Sequence, residues 1–150
     1  MNVYLNRIGP KIKAANTLIE KQLNNQFGEM FKEYSLTGAQ ISLMVFLYEA
    51  KDRTVTQKEI ADMFVLSHPT IRGIVRRLEE NGLIYTTHLE TDQRQIVLQL
   101  SDKGFALVDK NITKIHAILD NTNAQITQGS SVVEVEQFEA FLDQMIEGFK

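Results

Sequence analysis

The stretch that decides the fold is residues 56–82, TQKEIADMFVLSHPTIRGIVRRLEENG. Thr56 and Glu59 have the spacing of a capping box, in which each side chain satisfies a free backbone amide at a helix start. Ser67 is placed to cap a second helix only 11 residues later, and Asn81-Gly82 is a common helix ending. Two short helices in this order predict a helix-turn-helix.

The second of these helices has two chemically different faces, because successive side chains are about 100° apart. The apolar residues on one face are Ile71, Ile74, Val75 and Leu78. The residues that point the opposite way are Pro69, Arg72, Gly73 and Arg76, with Thr70 and Arg77 beside them. Such an arginine-bearing face fits the major groove of DNA, where arginine binds guanine edges or phosphates.

Two further features of this helix favour DNA. Gly73 leaves the backbone free to approach a partner closely, and the free amides at the Ser67 end favour a phosphate. The alternative interpretation is an ordinary solvated face whose arginines pair with Glu79 and Glu80. The helix alone does not decide between the two.

Two strand-like runs follow at residues 84–89 and 95–100, and the polar residues between them are typical of a turn. The pair predicts a two-stranded β-wing. Arg94 lies at its tip, where a guanidinium can enter a narrow, electronegative minor groove. Asp92 is placed to hold Arg94 or the backbone of the turn, and a merely solvated turn is the alternative.

Amphipathic helices flank this central part of the chain. Pro10 predicts a helix start close to it, and Thr37 is placed to cap the next helix, which carries Ile41, Val45 and Tyr48 inward. Ser101 begins a long C-terminal helix, and a capping box at Ser131 and Glu134 begins the last one. Both have apolar steps of three and four, as does the N-terminal stripe of Leu5, Ile8, Ile12, Ala15 and Ile19.

The composition excludes several classes of protein. The 150 residues are 43% hydrophobic and 23% charged, which fits one globular domain. The absence of cysteine excludes disulfide scaffolds, thiolate zinc fingers and thiol-based redox sensors. We expect neither a secretory signal nor a membrane-spanning run, and therefore a soluble, cytoplasmic protein.

The net charge of −3 is unevenly distributed along the chain. Residues 1–53, 54–100 and 101–150 carry net charges of +2, −1 and −4. Any basic surface that binds DNA must therefore be local.

Several segments together resemble the MarR (multiple antibiotic resistance regulator) family of winged helix-turn-helix regulators. These segments are LTGAQ (36–40), TQKEIA (56–61), LSHPTI (66–71), RLEENGLI (77–84), DQR (92–94) and LSDKG (100–104). Each motif alone is common, but their order and spacing are specific and extend over nearly the whole chain.

The resemblance implies a mainly α (α+β) fold in a single domain over residues 1–150. A winged helix-turn-helix with a two-stranded wing occupies residues 34–104, and dimerisation helices occupy residues 1–33 and 105–150. The implied function is that of a transcription factor, a ligand-responsive repressor that binds a pseudo-palindromic operator in double-stranded DNA. The implied assembly is a homodimer whose first and last helices interlock.

The resemblance also implies roles for individual residues. Those expected near base edges are Ser67, Pro69, Thr70, Arg72 and Arg76. Gln57 and Arg77 are expected near phosphates, and Arg94 in the minor groove. The predicted DNA-binding set is completed by His68, Gly73 and Asp92.

Three positions depart from the family pattern. Val65 stands where the turn often has glycine, and since a β-branched side chain disfavours positive φ, we expect a slightly different turn. Thr86 and Thr87 replace a basic residue of the first wing strand, which weakens the expected phosphate contact. Gly38 replaces a frequent proline, which we expect to loosen a helix start.

The resemblance implies a small aromatic or amphipathic effector, bound between the dimerisation helices and the winged unit. The residues that could line such a pocket are Phe31, Tyr34, Phe46, Tyr48 and His116, although an ordinary core is the favoured explanation of the aromatic ones. The histidines at 68, 88 and 116 fall on three different elements, so we expect no metal site and no cofactor.

Two other classes of function remain as alternatives. A winged-helix protein-interaction module would use the basic helix to bind an acidic protein partner, and it would lack sequence-preferring, salt-dependent binding to duplex DNA. An enzyme is disfavoured, because the sequence shows no nucleophile–base set, phosphate-binding glycine-rich loop or metal cluster.

Overall fold

The computed structural model describes residues 3–150, which form six α-helices and a small antiparallel sheet. After a short 3-10 helix at Val3–Asn6, the first elements are α1 (Ile8–Met30), α2 (Gly38–Ala50), β1 (Val55–Thr56) and α3 (Gln57–Met63). The remaining elements are α4 (His68–Glu80), β2 (Ile84–His88), β3 (Ile96–Leu100), α5 (Asp102–Ile126) and α6 (Val132–Gly148). The predicted mainly α winged helix-turn-helix is confirmed.

The chain divides into two compact units. The first comprises the described residues up to Ile115 and contains the helix-turn-helix and the sheet. The second, His116–Lys150, comprises the C-terminal half of α5 together with α6, and no residue of α6 is buried.

The sheet has the strand order β1–β3–β2, and both pairings are antiparallel. The predicted hairpin is confirmed, with β2 and β3 paired from Ile84 opposite Leu100 to His88 opposite Ile96. The additional strand β1 pairs Val55 with Leu98. Because β1 runs directly into α3, it attaches the start of the helix-turn-helix to the wing.

Helix α2 forms much of the core of the first unit. Its predicted inward residues Ile41 and Val45 are buried and Tyr48 is half-buried. Burial extends further around the helix than the sequence predicted, to Leu43, Met44 and Leu47. A helix that is apolar on most sides belongs in an interior, and α2 contacts both α1 and α4.

The predicted helix caps are largely confirmed. Thr37 forms a full capping box with Gln40, whose side-chain oxygen accepts the Thr37 N–H at 2.9 Å. Thr56 caps α3, since its hydroxyl accepts the Glu59 N–H at 3.1 Å, but the Glu59 carboxylate accepts from Arg53 instead of completing a box. Our expectation of a loosened start at Gly38 is not met, because its N–H donates to Asn24 Oδ1 at 2.7 Å. Proline has no such donor.

A close backbone contact joins the end of α4 to the start of α5. Gly82, just past α4, has a φ of +69°, and its carbonyl accepts the Ser101 hydroxyl at 2.6 Å. The same hydroxyl accepts the Gly104 N–H at 3.0 Å and so caps α5. A Cβ at Gly104 would lie 1.9 Å from the carbonyl oxygen of Leu83, so only glycine fits at this position.

We therefore predict that Gly104→Ala lowers the free energy of unfolding by about 2–4 kcal/mol, since backbone must move to admit the methyl group. Urea denaturation followed by circular dichroism measures the change. Gly73→Ala is the matched control: Gly73 is exposed in a helix and has no atom within 4 Å of an added Cβ. The control should gain up to about 1 kcal/mol, and a Gly104→Ala protein as stable as wild type would refute the steric argument.

Candidate nucleic-acid interface

Packing fixes the orientation of α4. Ile71, Val75 and Leu78 are at most 3% exposed, and Ile74 is half-buried. The helix contacts α2, α3 and β2 through this side. At its start the Ser67 hydroxyl accepts the Thr70 N–H at 3.4 Å, as its predicted role as N-cap requires. The predicted apolar face of α4 is therefore confirmed.

The opposite face of α4 is open to solvent. The exposed residues on it are His68, Pro69, Thr70, Arg72, Gly73, Arg76 and Arg77. Within residues 3–150, none of the three arginines lies within 4 Å of an acidic group. The alternative, a face whose arginines pair with Glu79 and Glu80, is therefore not formed. The three guanidiniums are available to an external partner.

A groove of about 420 Å³ lies between α4 and the sheet. Its lining residues are Gln57, Arg72, Val75, Arg76, Glu79, Glu80, Thr86 and Ile96. A second concavity of about 320 Å³ is lined by His68, Pro69, Arg72, Gly73 and Arg76. Arg72 and Arg76 thus form the ridge between the two, with predicted site residues on both sides.

The groove also contains residues that the sequence analysis did not place in the site. The sequence indicated Glu79 and Glu80 only as possible ion-pair partners for the arginines. It indicated Thr86 only as a departure from the family pattern. The helical spacing was a usable signal for Glu79, which follows Arg72 by two turns and Arg76 by one. For Thr86 no signal was available, because its place in the groove depends on how the sheet packs against α4.

The tip of the wing is organised by Asp92. Its Oδ1 accepts both the backbone N–H and the Nε–H of Arg94 at 3.1 Å, and its Oδ2 accepts from Gln95 Nε2 at 3.4 Å. The backbone hydrogen bond from Arg94, followed by the one from its side chain, lowers the pKa of Asp92 below its usual value. The Arg94 side chain itself is 92% exposed. Asp92 therefore holds both the turn and Arg94, as predicted.

The turn between α3 and α4 differs from our expectation. Val65 adopts a φ of +53° despite its β-branched side chain, so the turn keeps the left-handed conformation. The Leu66 N–H donates to the carbonyl of Ala61 at 2.8 Å, which is the long hydrogen bond of a Schellman ending. Val65 is 64% exposed, so its side chain gains little packing in exchange for the backbone strain.

The five residues considered for an effector pocket occupy different environments. Phe31 is buried in the core, Tyr34 lies under the Lys103 ammonium at 5.0 Å, and Phe46 lies under the Arg53 guanidinium at 5.6 Å. Tyr48 donates to Asp109 Oδ1 at 2.6 Å, and this hydrogen bond is the main reason why the pKa of Tyr48 is raised. His116 belongs to the second unit.

Tyr48 lines a cavity of about 380 Å³ at the end of α2. Tyr85 and Phe105 are its other aromatic lining residues, and its charged lining residues are Lys51, Asp52 and Arg53. Arg53 is paired with Glu59 at 2.5 Å.

Over residues 3–150, no three His, Asp or Glu side chains are grouped so that they could hold a metal ion. In the same range no helix is both long enough and apolar enough to cross a membrane.

Comparison with known proteins gives a consistent family. Residues 25–111, more than half of the chain, match the family described as transcriptional regulator SarA/Rot. The chain is 26% identical over 133 residues to the HTH-type transcriptional regulator MgrA of Staphylococcus aureus, covering 87% of this chain and 84% of MgrA. It is 25% identical over 107 residues to the HTH-type transcriptional repressor YetL of Bacillus subtilis. That match covers 69% of this chain and 64% of YetL, slightly less than two thirds of it.

A solved structure extends the likeness to the fold. The transcription regulator MarR from Oenococcus oeni is 28% identical and superimposes with a TM-score of 0.72, covering 94% of this chain and 99% of that one. The resemblance to MarR-type winged-helix regulators is therefore confirmed.

The strain at Val65 generates a stability prediction. Val65→Asn should raise the free energy of unfolding by about 1 kcal/mol, because asparagine tolerates positive φ and the lost side chain is exposed. Alanine lacks the polar side chain whose local hydrogen bonds favour this conformation in asparagine, so Val65→Ala should gain clearly less. Urea denaturation of the three proteins at equal concentration measures both differences. An asparagine variant no more stable than wild type would contradict the inferred strain.

Proposed function

Because this chain belongs to the SarA/Rot family of transcriptional regulators, we propose that it is a ligand-responsive repressor that binds a pseudo-palindromic DNA operator as a homodimer. The observation that carries the proposal is the exposed, unpaired arginine face of α4 beside the wing groove. Such a face attracts phosphates and can bind base edges in the major groove.

The residue roles are proposed as follows. Arg72 and Arg76 reach base edges, and the exposed start of α4 allows close approach at Ser67, His68, Pro69, Thr70 and Gly73. Gln57 and Arg77 contact phosphates on either side. Arg94 enters the minor groove, and Asp92 orients it through the hydrogen bonds within the turn.

Two exposed apolar surfaces support the homodimer. At the N-terminal end the exposed apolar residues are Tyr4, Leu5, Ile8, Ile12 and Leu18. On and beside α6 they are Val132, Val133, Phe138, Phe141, Ile146 and Phe149. Monomers rarely leave apolar patches of this kind in water. The charges are complementary as well, since residues 7–21 carry four cations and one acid whereas α6 carries five acids and no cation.

Two-fold symmetry has a consequence for the operator. It would place the two α4 helices about one helical turn of DNA, ~34 Å, apart on one side of the duplex. The two half-sites would then be inverted copies of each other, as in a pseudo-palindrome.

The response to an effector would follow from linkage. A ligand that binds better to an arrangement unable to hold DNA must release the operator. The proposed effector is a small aromatic or amphipathic molecule, and the cavity beside Tyr48 is one place that could accept it.

The family assignment does not favour the alternative of a protein-interaction module. Regulators of this family are generally not enzymes, and we propose no catalytic activity. Because its proposed target is chromosomal DNA, we place the protein in the cytoplasm.

We predict that Arg72→Ala weakens operator binding by about 1–3 kcal/mol and relaxes base preference. Arg94→Ala should weaken operator binding by a similar amount. Arg72→Lys separates charge from shape: a phosphate contact would survive it, but a bidentate base contact would not. Fluorescence anisotropy titrations against a duplex selected from a random library measure these affinities.

Lys32→Ala is the matched control for loss of one positive charge, because Lys32 is exposed and its ion pair within residues 3–150 is with the nearby Glu29 at 2.8 Å. It should bind the selected duplex nearly as well as wild type. If wild type selects no sequence, the proposed function is wrong; if Arg72→Ala and Arg94→Ala both bind like wild type, the assigned residues are wrong.

We predict that Phe141→Glu lowers the dimer association constant at least about tenfold, because a charge replaces an exposed phenyl ring of the proposed interface. Analytical ultracentrifugation measures it. Met63→Glu, which alters an equally apolar side chain that is 50% exposed on α3, is the control and should leave the dimer intact. Identical behaviour of the two variants would argue against an interface on α6.

A further inference from the structure

The groove beside α4 holds two carboxylates together with the two arginines. Glu79 follows Arg72 by seven residues, which places it about 20° from Arg72 around the helix axis. Glu80 is about 80° from Arg72, on the flank of the same face. The two carboxylates therefore flank the arginine pair, with Glu79 beside Arg72 and Glu80, four residues after Arg76, beside Arg76.

The arginines do not neutralise Glu79. Its spacing of three residues from Arg76 would permit an ion pair on a helix surface. Other exposed ion pairs with this spacing are formed, such as that of Lys32 with Glu29 at 2.8 Å. Over residues 3–150, however, no cation lies within 4 Å of the Glu79 or Glu80 carboxylate.

The walls of the groove do not neutralise it either. The two arginines of the groove lie on α4. The residues that line it from α3 and the sheet are Gln57, Thr86 and Ile96, and none of these is charged. Glu79 is exposed, so its oxygens remain free to accept hydrogen bonds from a molecule that enters the groove.

We propose that Glu79 is a specificity-determining residue of the DNA-reading face, which selects cytosine through its N4 amino group and penalises sequences that place a hydrogen-bond acceptor or a phosphate at the same position. In the major groove a carboxylate accepts well from cytosine N4, but it repels phosphates and the oxygen and nitrogen acceptors of guanine. At a cognate site this acceptor is satisfied; at other sites it is desolvated without a partner. The inference rests on the proposed function.

This role complements that of the arginines. Arg72 and Arg76 attract phosphates of any duplex and therefore raise non-specific and specific affinity together. A carboxylate beside them lowers the affinity for non-cognate DNA, so it widens the ratio of specific to non-specific affinity. Discrimination then depends on Glu79 even though its removal would not weaken non-specific binding.

The test is a selection from a random duplex library, run in parallel with the full-length wild type and with Glu79→Gln. Glutamine keeps the size of the side chain but removes its charge, and its amide can pair with adenine. We expect the wild type to require a C·G pair at one position of each half-site. The variant should lose that requirement or prefer A·T there.

Affinities for the selected and a scrambled duplex quantify the effect. For Glu79→Gln the ratio of the two should fall at least about fivefold, with tighter binding to the scrambled duplex. Glu33→Gln removes the same charge from an exposed position between α1 and α2 and should leave the ratio unchanged. Circular dichroism of each variant checks folding.

The outcomes separate three cases. An unchanged motif and ratio for Glu79→Gln, with a sequence-selective wild type, would overturn this inference but not the proposed function. Equal effects of Glu79→Gln and Glu80→Gln would show that total groove charge decides, which also overturns the assignment to Glu79. A wild type that enriches no sequence would overturn both.

Discussion

The burial of Ile71, Val75 and Leu78 is the constraint on which the DNA-reading surface depends. These three side chains fix the rotation of α4 about its own axis, and the helical repeat then forces Arg72 and Arg76 toward solvent. The far end of α4 is held as firmly, because the Gly82 and Leu83 carbonyls contact the first turn of α5. Apolar packing at one side and backbone contact at one end thus position a charged face whose arginines have no acidic partner among residues 3–150.

Much of this arrangement could be predicted from the sequence, because it follows from local patterns. The face of α4 follows from apolar spacing, its start from the Ser67 cap, and the turn around Arg94 from Asp92 two residues earlier. These features are set by contacts between near neighbours. They depend little on how distant parts of the chain meet.

The remaining features depend on contacts between distant residues or on a balance between backbone strain and hydrogen bonding. Strand β1 has only two residues and therefore no detectable alternation; it exists because Val55 meets Leu98. Propensity argued against positive φ at Val65, but the Schellman hydrogen bond from Leu66 prevails there. The groove could not be predicted either, because Gln57, Arg76 and Thr86 come from three separate elements.

The net charge of −3 is compatible with DNA binding, because the acidic excess lies mainly in residues 101–150 and not in the segment that carries the α4 arginines. Residues 101–150 carry a net charge of −4, and five of their acids lie on α6. Since exposed charges are screened beyond about 8 Å in physiological salt, the acids closest to a bound duplex affect its binding most. The acidic residues among those that line the groove are Glu79 and Glu80. Local placement, rather than net charge, therefore decides how strongly this surface discriminates between DNA sequences.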